Sequence, residues 1–285
     1  MKKSKRIPNI MINIMFCLGS LVFILPFVLI ISASFSDEQT LLSEGYKLIP
    51  SVFSTDAYKY VFRNPQQLLD SYKVTIIYSI VATVLGVVVM AMLAYPLSRK
   101  GLKGSKIVNL FCVITMYLNL GTIPNYLNIK SFGMIDTVWA LIIPGALSVY
   151  NMIIMRTAFA SIDDSLYEAA RIDGCGEFKI MYRIAIPLCV PTIATLCLFY
   201  AVGRWNGIDD QLYYVQKTGL HTVQMALKQM IEAVNVQSEE SGTTQLVAEN
   251  IKAASITLSM TPMLVVYPFI QRFFTQGIML GAVKG

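Results

Sequence analysis

Tyr200, Trp205 and Asn206 stand close together in the chain and are the residues best suited to handle a small solute. Aromatic faces suit the apolar CH patches of a sugar ring, and an amide answers its hydroxyls. The same residues near the end of an apolar segment also serve as interfacial anchors, because amphipathic rings settle at the headgroup level. Asn151 offers a further amide, either to a neighbouring helix or to a solute cavity. Other chemistry finds little support. The single histidine, His221, has no sequence partner for a triad or a His-rich metal site. Cys17, Cys112, Cys175, Cys189 and Cys197 form no CxxC or Cys/His spacing, so they read as structural thiols. No GxxxxGK[ST] phosphate loop is present, which excludes ATP binding by that route. No metal or cofactor is expected in the chain itself.

The elements that must position these residues follow from composition. Hydrophobic residues make up 55% of the 285 and charged residues only 14%, against roughly 25% charged in soluble domains. So much apolar surface calls for a bilayer. The net charge of +6 is dispersed in short clusters between apolar segments, an arrangement of membrane-protein loops and not of a nucleic-acid-binding face. Uncharged stretches near the ~20 residues that cross a bilayer predict an all-α membrane protein. Its six spans are expected at about 10–35, 74–96, 107–128, 137–156, 186–204 and 253–272, in one transmembrane domain over 1–285. Lys2, Lys3, Lys5 and Arg6, and then Arg99, Lys100, Lys103 and Lys106, place both of their segments on the cytoplasmic side. Six spans then put both termini and the 161–183 loop inside, and residues 37–73 and the 205–251 loop outside. The first apolar run is longer than a cleavable signal's 7–15 residues, so a retained anchor is expected despite Ser32, Ala33 and Ser34. Prolines 26, 144, 191, 262 and 268 read as kinks, and Arg156 and Arg204 as snorkelling span ends. Val223, Leu227, Met230 and Val234 predict a short amphipathic helix before the polar stretch Gln237–Gln245. None of the spans holds an Asp or Glu, which disfavours coupling to an ion gradient.

The 161–183 loop carries the most regular pattern. Ser161 with Asp164 predicts a helix start in a variant of the capping box. That helix is expected to run to about Ile172 and to stop at Asp173-Gly174, where glycine supplies a positive φ. A second short helix is expected near Glu177, with Pro187 in the first turn of the fifth span. Leu166, Ala169, Ala170 and Asp173 share a face by their spacing. The two alanines permit close backbone approach, so that face is suited to another protein's groove.

Glu168-Ala169-Ala170, three residues, Gly174, nine residues, Ile184, one residue, then Ile186-Pro187 resembles the EAA loop of ABC-importer permeases, with Ile186 where leucine is usual. Thr75-Ile76, Ala94 through Ser98, Ile123 through Leu127, Asn151 through Arg156 and Trp205-Asn206 are similar to the sugar-importer branch of that family. The resemblance implies a type I permease fold and a multi-pass subunit of the bacterial cytoplasmic membrane. It also implies a second homologous permease, two cytoplasmic ATPases that bind ATP and magnesium, an extracytoplasmic solute-binding lipoprotein and a carbohydrate substrate, in particular an oligosaccharide. Glu168, Ala169, Ala170 and Gly174 are then the ATPase-coupling residues. The substrate-path candidates are Asn151, Tyr200, Trp205 and Asn206. Gly207-Ile208 depart from the family, which usually places an aromatic after Trp-Asn. A secondary transporter or channel working without ATPases is the alternative, and a membrane enzyme comes last.

Overall fold

The computed structural model describes residues 6–118, 120–240 and 249–282, and the side chains of 12–118, 120–233 and 249–268. In chain order the α-helices are α1 (Arg6–Ser34), α2 (Glu38–Glu44), α3 (Asp56–Val61), α4 (Pro65–Ser98), α5 (Ser105–Tyr117), α6 (Thr122–Ser131), α7 (Trp139–Ile142) and α8 (Val149–Ala160). There follow α9 (Asp164–Ile172), α10 (Glu177–Ile180), α11 (Ile186–Leu188), α12 (Val190–Asn206), α13 (Asp209–Tyr214), α14 (Val223–Glu240) and α15 (Glu249–Ala282). A π-helical turn, Met181–Ala185, joins α10 to α11. Among the described residues the only β pairing is an isolated bridge between Ser36 and Phe53.

Among the described residues, two helices are continuous, long and apolar enough to cross a membrane: Ile12–Ser34 within α1, and α4. The first has 23 residues, or about 34 Å at 1.5 Å per residue, and its side chains are exposed almost throughout. A helix apolar on every face needs lipid or another helix around it. The sixth expected span lies inside α15, a single helix that absorbs Pro262 and Pro268.

The third, fourth and fifth spans are not the unbroken helices expected. Helix α5 stops at Tyr117, where Leu118 turns extended, and α6 begins after Gly121 at φ 86°. The fourth is split into α7 and α8 by Ile143–Ser148, which contains Pro144 and Gly145. Proline has no N–H to donate, and α8 starts afresh with Ser148 capping the Asn151 amide. In the fifth, Pro187 does not open the span. Helix runs from Glu177 through Leu188, bends by 85° at Cys189, and resumes as α12 with Pro191 in its first turn.

The chain falls into two compact units. One is drawn from Met1–Leu68 and Ala226–Pro262. There Phe35 stacks on Phe53 with centroids 5.5 Å apart, and Tyr58 hydrogen-bonds Ser34 at 2.9 Å. The Ser32-Ala33-Ser34 tripeptide that imitates a cleavage site is buried. The other unit, Leu69–Met225 with Met263–Gly285, holds the loop and the substrate-path candidates. Its core joins Met90 and Ala94 of α4, Met152 and Met155 of α8 and Leu196 of α12 to Tyr167, Ala170 and Ile180 of the loop. Val223 and Leu227, on the expected amphipathic helix, are buried, while the Val234 side chain and the stretch from Ser241 to Gln245 lie outside what is described.

Candidate functional site

The 161–183 loop is built from local signals. Ser161 closes α8, its hydroxyl donating to the Ala158 carbonyl at 2.8 Å, and so does not cap α9 as expected. That role falls to Asp163, whose carboxylate accepts the Ser165 amide at 2.9 Å. Helix α9 then ends as its sequence predicts. The Cys175 amide donates to the Ala170 carbonyl at 2.9 Å and the Gly174 amide to the Arg171 carbonyl at 3.0 Å. This pair of bonds is a Schellman motif, and Gly174 at φ 77° is its left-handed residue. Nothing lies within 4 Å of a Cβ added there, so glycine is needed for its backbone and not for clearance.

The two alanines do not share a docking face. Ala170 is only 7% exposed and belongs to the bundle core, together with Tyr167. Ala169 and Leu166 point outward, joined by Ile172 at 87% and Phe178 at 75% exposure. At 100° per residue, 166, 169 and 172 form a row running away from Tyr167, and Ala170 sits between that row and Tyr167, about 40° around from Leu166. Glu168, Asp173 and Gly174 are exposed at the surface.

A clamp of charged and aromatic groups ties the loop to the end of α4. Glu177 accepts from Arg171 Nε at 2.8 Å and from the Tyr95 hydroxyl at 2.7 Å. The Arg171 and Tyr95 bonds hold this carboxyl below its ordinary range. Arg99 lays its guanidinium over the Tyr167 ring at 3.6 Å and donates to the Phe159 carbonyl at 2.6 Å. Lys100 meets Asp164 at 2.7 Å, and that bond lowers the Asp164 pKa. Both carboxylates sit in the first turn of a helix, where the positive end of the dipole favours them. The loop is thus a helix–turn–helix whose inner face is bundle core and whose outer face carries an exposed apolar row, Leu166, Ala169 and Ile172, among charged residues.

The substrate-path candidates are scattered. Tyr200 is buried and donates to the Gly145 and Ala146 carbonyls, 2.8 and 2.9 Å away, which lost their helical partners at the break before α8. Its ring also occupies the space beside Gly86, where a Cβ would come within 2.6 Å. Trp205 is buried with its ring centroid 6.4 Å from that of Tyr72. Asn151 is buried on α8, and Asn206 alone of the four is exposed. Arg204 does not snorkel. Its side chain is 14% exposed, donates to the Gly145 carbonyl and to the Leu141 carbonyl at 3.3 Å, and pairs with Asp210 at 3.6 Å.

Residues 2–280 match the family described as binding-protein-dependent transport system inner membrane component. The chain belongs to this family. It is 39% identical to Protein LplC of Bacillus subtilis (strain 168) over 277 residues, 96% of this chain and 94% of that one. It is 37% identical over 270 residues to the polygalacturonan/rhamnogalacturonan transport system permease protein YtcP of the same organism, 93% of this chain and 94% of that one. A solved bacterial ABC transporter involved in the import of the acidic polysaccharide alginate superimposes with a TM-score of 0.81 at 30% identity, covering 96% of this chain and 99% of that one. The protein is therefore a membrane permease subunit of an ABC transporter, resembling subunits that serve carbohydrate transport.

In this permease the clamp residues Tyr95, Arg99, Lys100 and Glu177 went unmarked by motif spacing. Their signals were present in another guise. Tyr95 lies in the Ala94–Ser98 segment that resembles the family, and Arg99-Lys100 served only as a topology marker.

Proposed function

We propose that this permease is one of two homologous membrane subunits of an ATP-driven importer that carries an oligosaccharide across the bacterial cytoplasmic membrane. Residues 1–285 form its single transmembrane domain, with six spans, both termini and the 161–183 loop in the cytoplasm, and the 205–251 loop outside. Three of these spans, the third to the fifth, are broken. Irregular backbone within a membrane is tolerated where it is buried in protein or lines a cavity. Two ATPase subunits supply the energy, and an extracytoplasmic binding protein delivers the sugar. The carbohydrate assignment rests on the named functions of the relatives.

One observation carries the coupling role. The exposed apolar row Leu166, Ala169 and Ile172 is backed directly by Tyr167 and Ala170 in the bundle core. A push on that row reaches α4 and α8 without passing through a flexible joint, which suits rigid-body transmission. Gly174 fixes the angle between the two loop helices, and Glu168 borders the exposed row.

Proteoliposomes holding the complete complex test this reading. Uptake of a labelled oligosaccharide should require ATP inside and the binding protein outside. Uptake by the permeases alone, without ATPases, would instead identify a channel or secondary transporter.

A further inference from the structure

Between α6 and α13 lies a recess of about 570 Å³ that continues into a smaller one of about 190 Å³. The first volume is within the usual ~300–1,000 Å³ of small-molecule sites. Asn125 and Asn128 project from α6 one turn apart, and Tyr213, Tyr214, Asp209 and Asp210 stand on α13. The Asn128 main-chain carbonyl is already taken by Ser131 Oγ and the Phe132 amide. Neither asparagine side chain has a protein partner among the described residues, although an amide offers two donors and two acceptor lone pairs. Tyr214 is stacked with Tyr126 at 6.4 Å and is thereby fixed, while Tyr213 and Phe132 keep exposed rings. Amides, carboxylates and aromatic faces converging on one hollow are the chemistry of polyol recognition.

The two carboxylates differ in charge balance. Asp210 faces Arg204 at 3.6 Å and is largely neutralised. Asp209 makes no ion pair among the described residues, so it leaves the recess with net negative charge. Hydroxyls of any sugar can donate to such a carboxylate, but the ionised carboxylate of a uronate only accepts and is repelled by Asp209.

We propose that this recess is a saccharide subsite in which Asn125 and Asn128 hold ring hydroxyls and Asp209 selects uncharged sugars over uronates. This rests on the carbohydrate reading above and names its substrate class. It also separates this permease from the relatives named for acidic polysaccharides.

The test is saturation-transfer NMR on the permease–ATPase complex in nanodiscs, without binding protein, using an equimolar mixture of a neutral xylotriose and trigalacturonate. The neutral trisaccharide should give the stronger signal by several-fold. The joint variant Asn125→Ala with Asn128→Ala should lose that signal while the complex still assembles and keeps its melting temperature. Asp209→Asn should raise the trigalacturonate signal and leave xylotriose nearly unchanged. Equal signals, signals untouched by the asparagine changes, or no signal from either sugar would overturn the proposal. ATP-dependent uptake in the proteoliposomes stands or falls separately, so loss of the subsite with uptake intact condemns the subsite alone.

Discussion

The 161–183 loop and the setting of Arg204 are held together by opposite kinds of contact. In the loop, most bonds join near neighbours: Asp163 to Ser165, Cys175 to Ala170, Arg171 to Glu177. Around Arg204 they join strangers in sequence: Gly145, Leu141 and, at 3.4 Å, Tyr78. Near-neighbour bonds give a segment a shape of its own, available for a partner to grip. Long-range bonds give an immobile strut, because a buried guanidinium must satisfy its donors wherever carbonyls are free. A segment held by its own neighbours and a strut held by distant ones are thus built differently within one unit.

The comparison breaks first at the strut. Arg204→Ala leaves the Gly145 and Leu141 carbonyls at the α7–α8 break without their donor, at about 1–3 kcal/mol each, and also removes the ion pair to the half-exposed Asp210. A fall in melting temperature of the detergent-purified complex should report it. Gly145→Val should do similar harm, since its Cβ would land on the guanidinium. Next comes the hook between loop and bundle. Tyr95→Phe deletes a hydrogen bond to an ionised carboxylate, worth about 1.5–3 kcal/mol. Here ATP-driven uptake should drop more than thermal stability does. Smaller still is the turn: Gly174→Ala forces a Cβ into left-handed backbone at about 1–2 kcal/mol. Gly174→Asn, which tolerates that conformation, should recover most of the lost coupling.

The weakest effect is that of pH. Asp164 and Glu177 both sit below their ordinary values of 3.8 and 4.5. A lowered folded-state pKa gives stability that is complete above the unfolded value and lost as pH falls through the folded one. Hydrogen-exchange protection factors of the loop should therefore stay flat from about pH 6 to 8 and fall only in acid below about pH 4.

These contrasts also explain what could be read beforehand. The stop of α9 at Gly174 and the restart at Glu177 were legible because each depends on residues a few positions apart. Ala170 was expected on one outward face with Leu166 and Ala169, but spacing says which residues are neighbours and not where around the helix exposure gives way to burial. Tyr200 and Arg204 resembled span-end anchors, and only the break at Pro144-Gly145 shows why they turn inward. Nothing in the spacing links Asp209 to Asn125, since the recess exists only once α6 and α13 meet.

Cysteine crosslinking in intact membranes tests the central claim, that the outer row of α9 grips an ATPase subunit. Ile172→Cys and Ala169→Cys should each form a crosslink to the ATPase, while the core-facing Ala170→Cys should form none. A crosslink from Ala170→Cys with silence from Ile172→Cys, or no crosslink from any of the three, would contradict it.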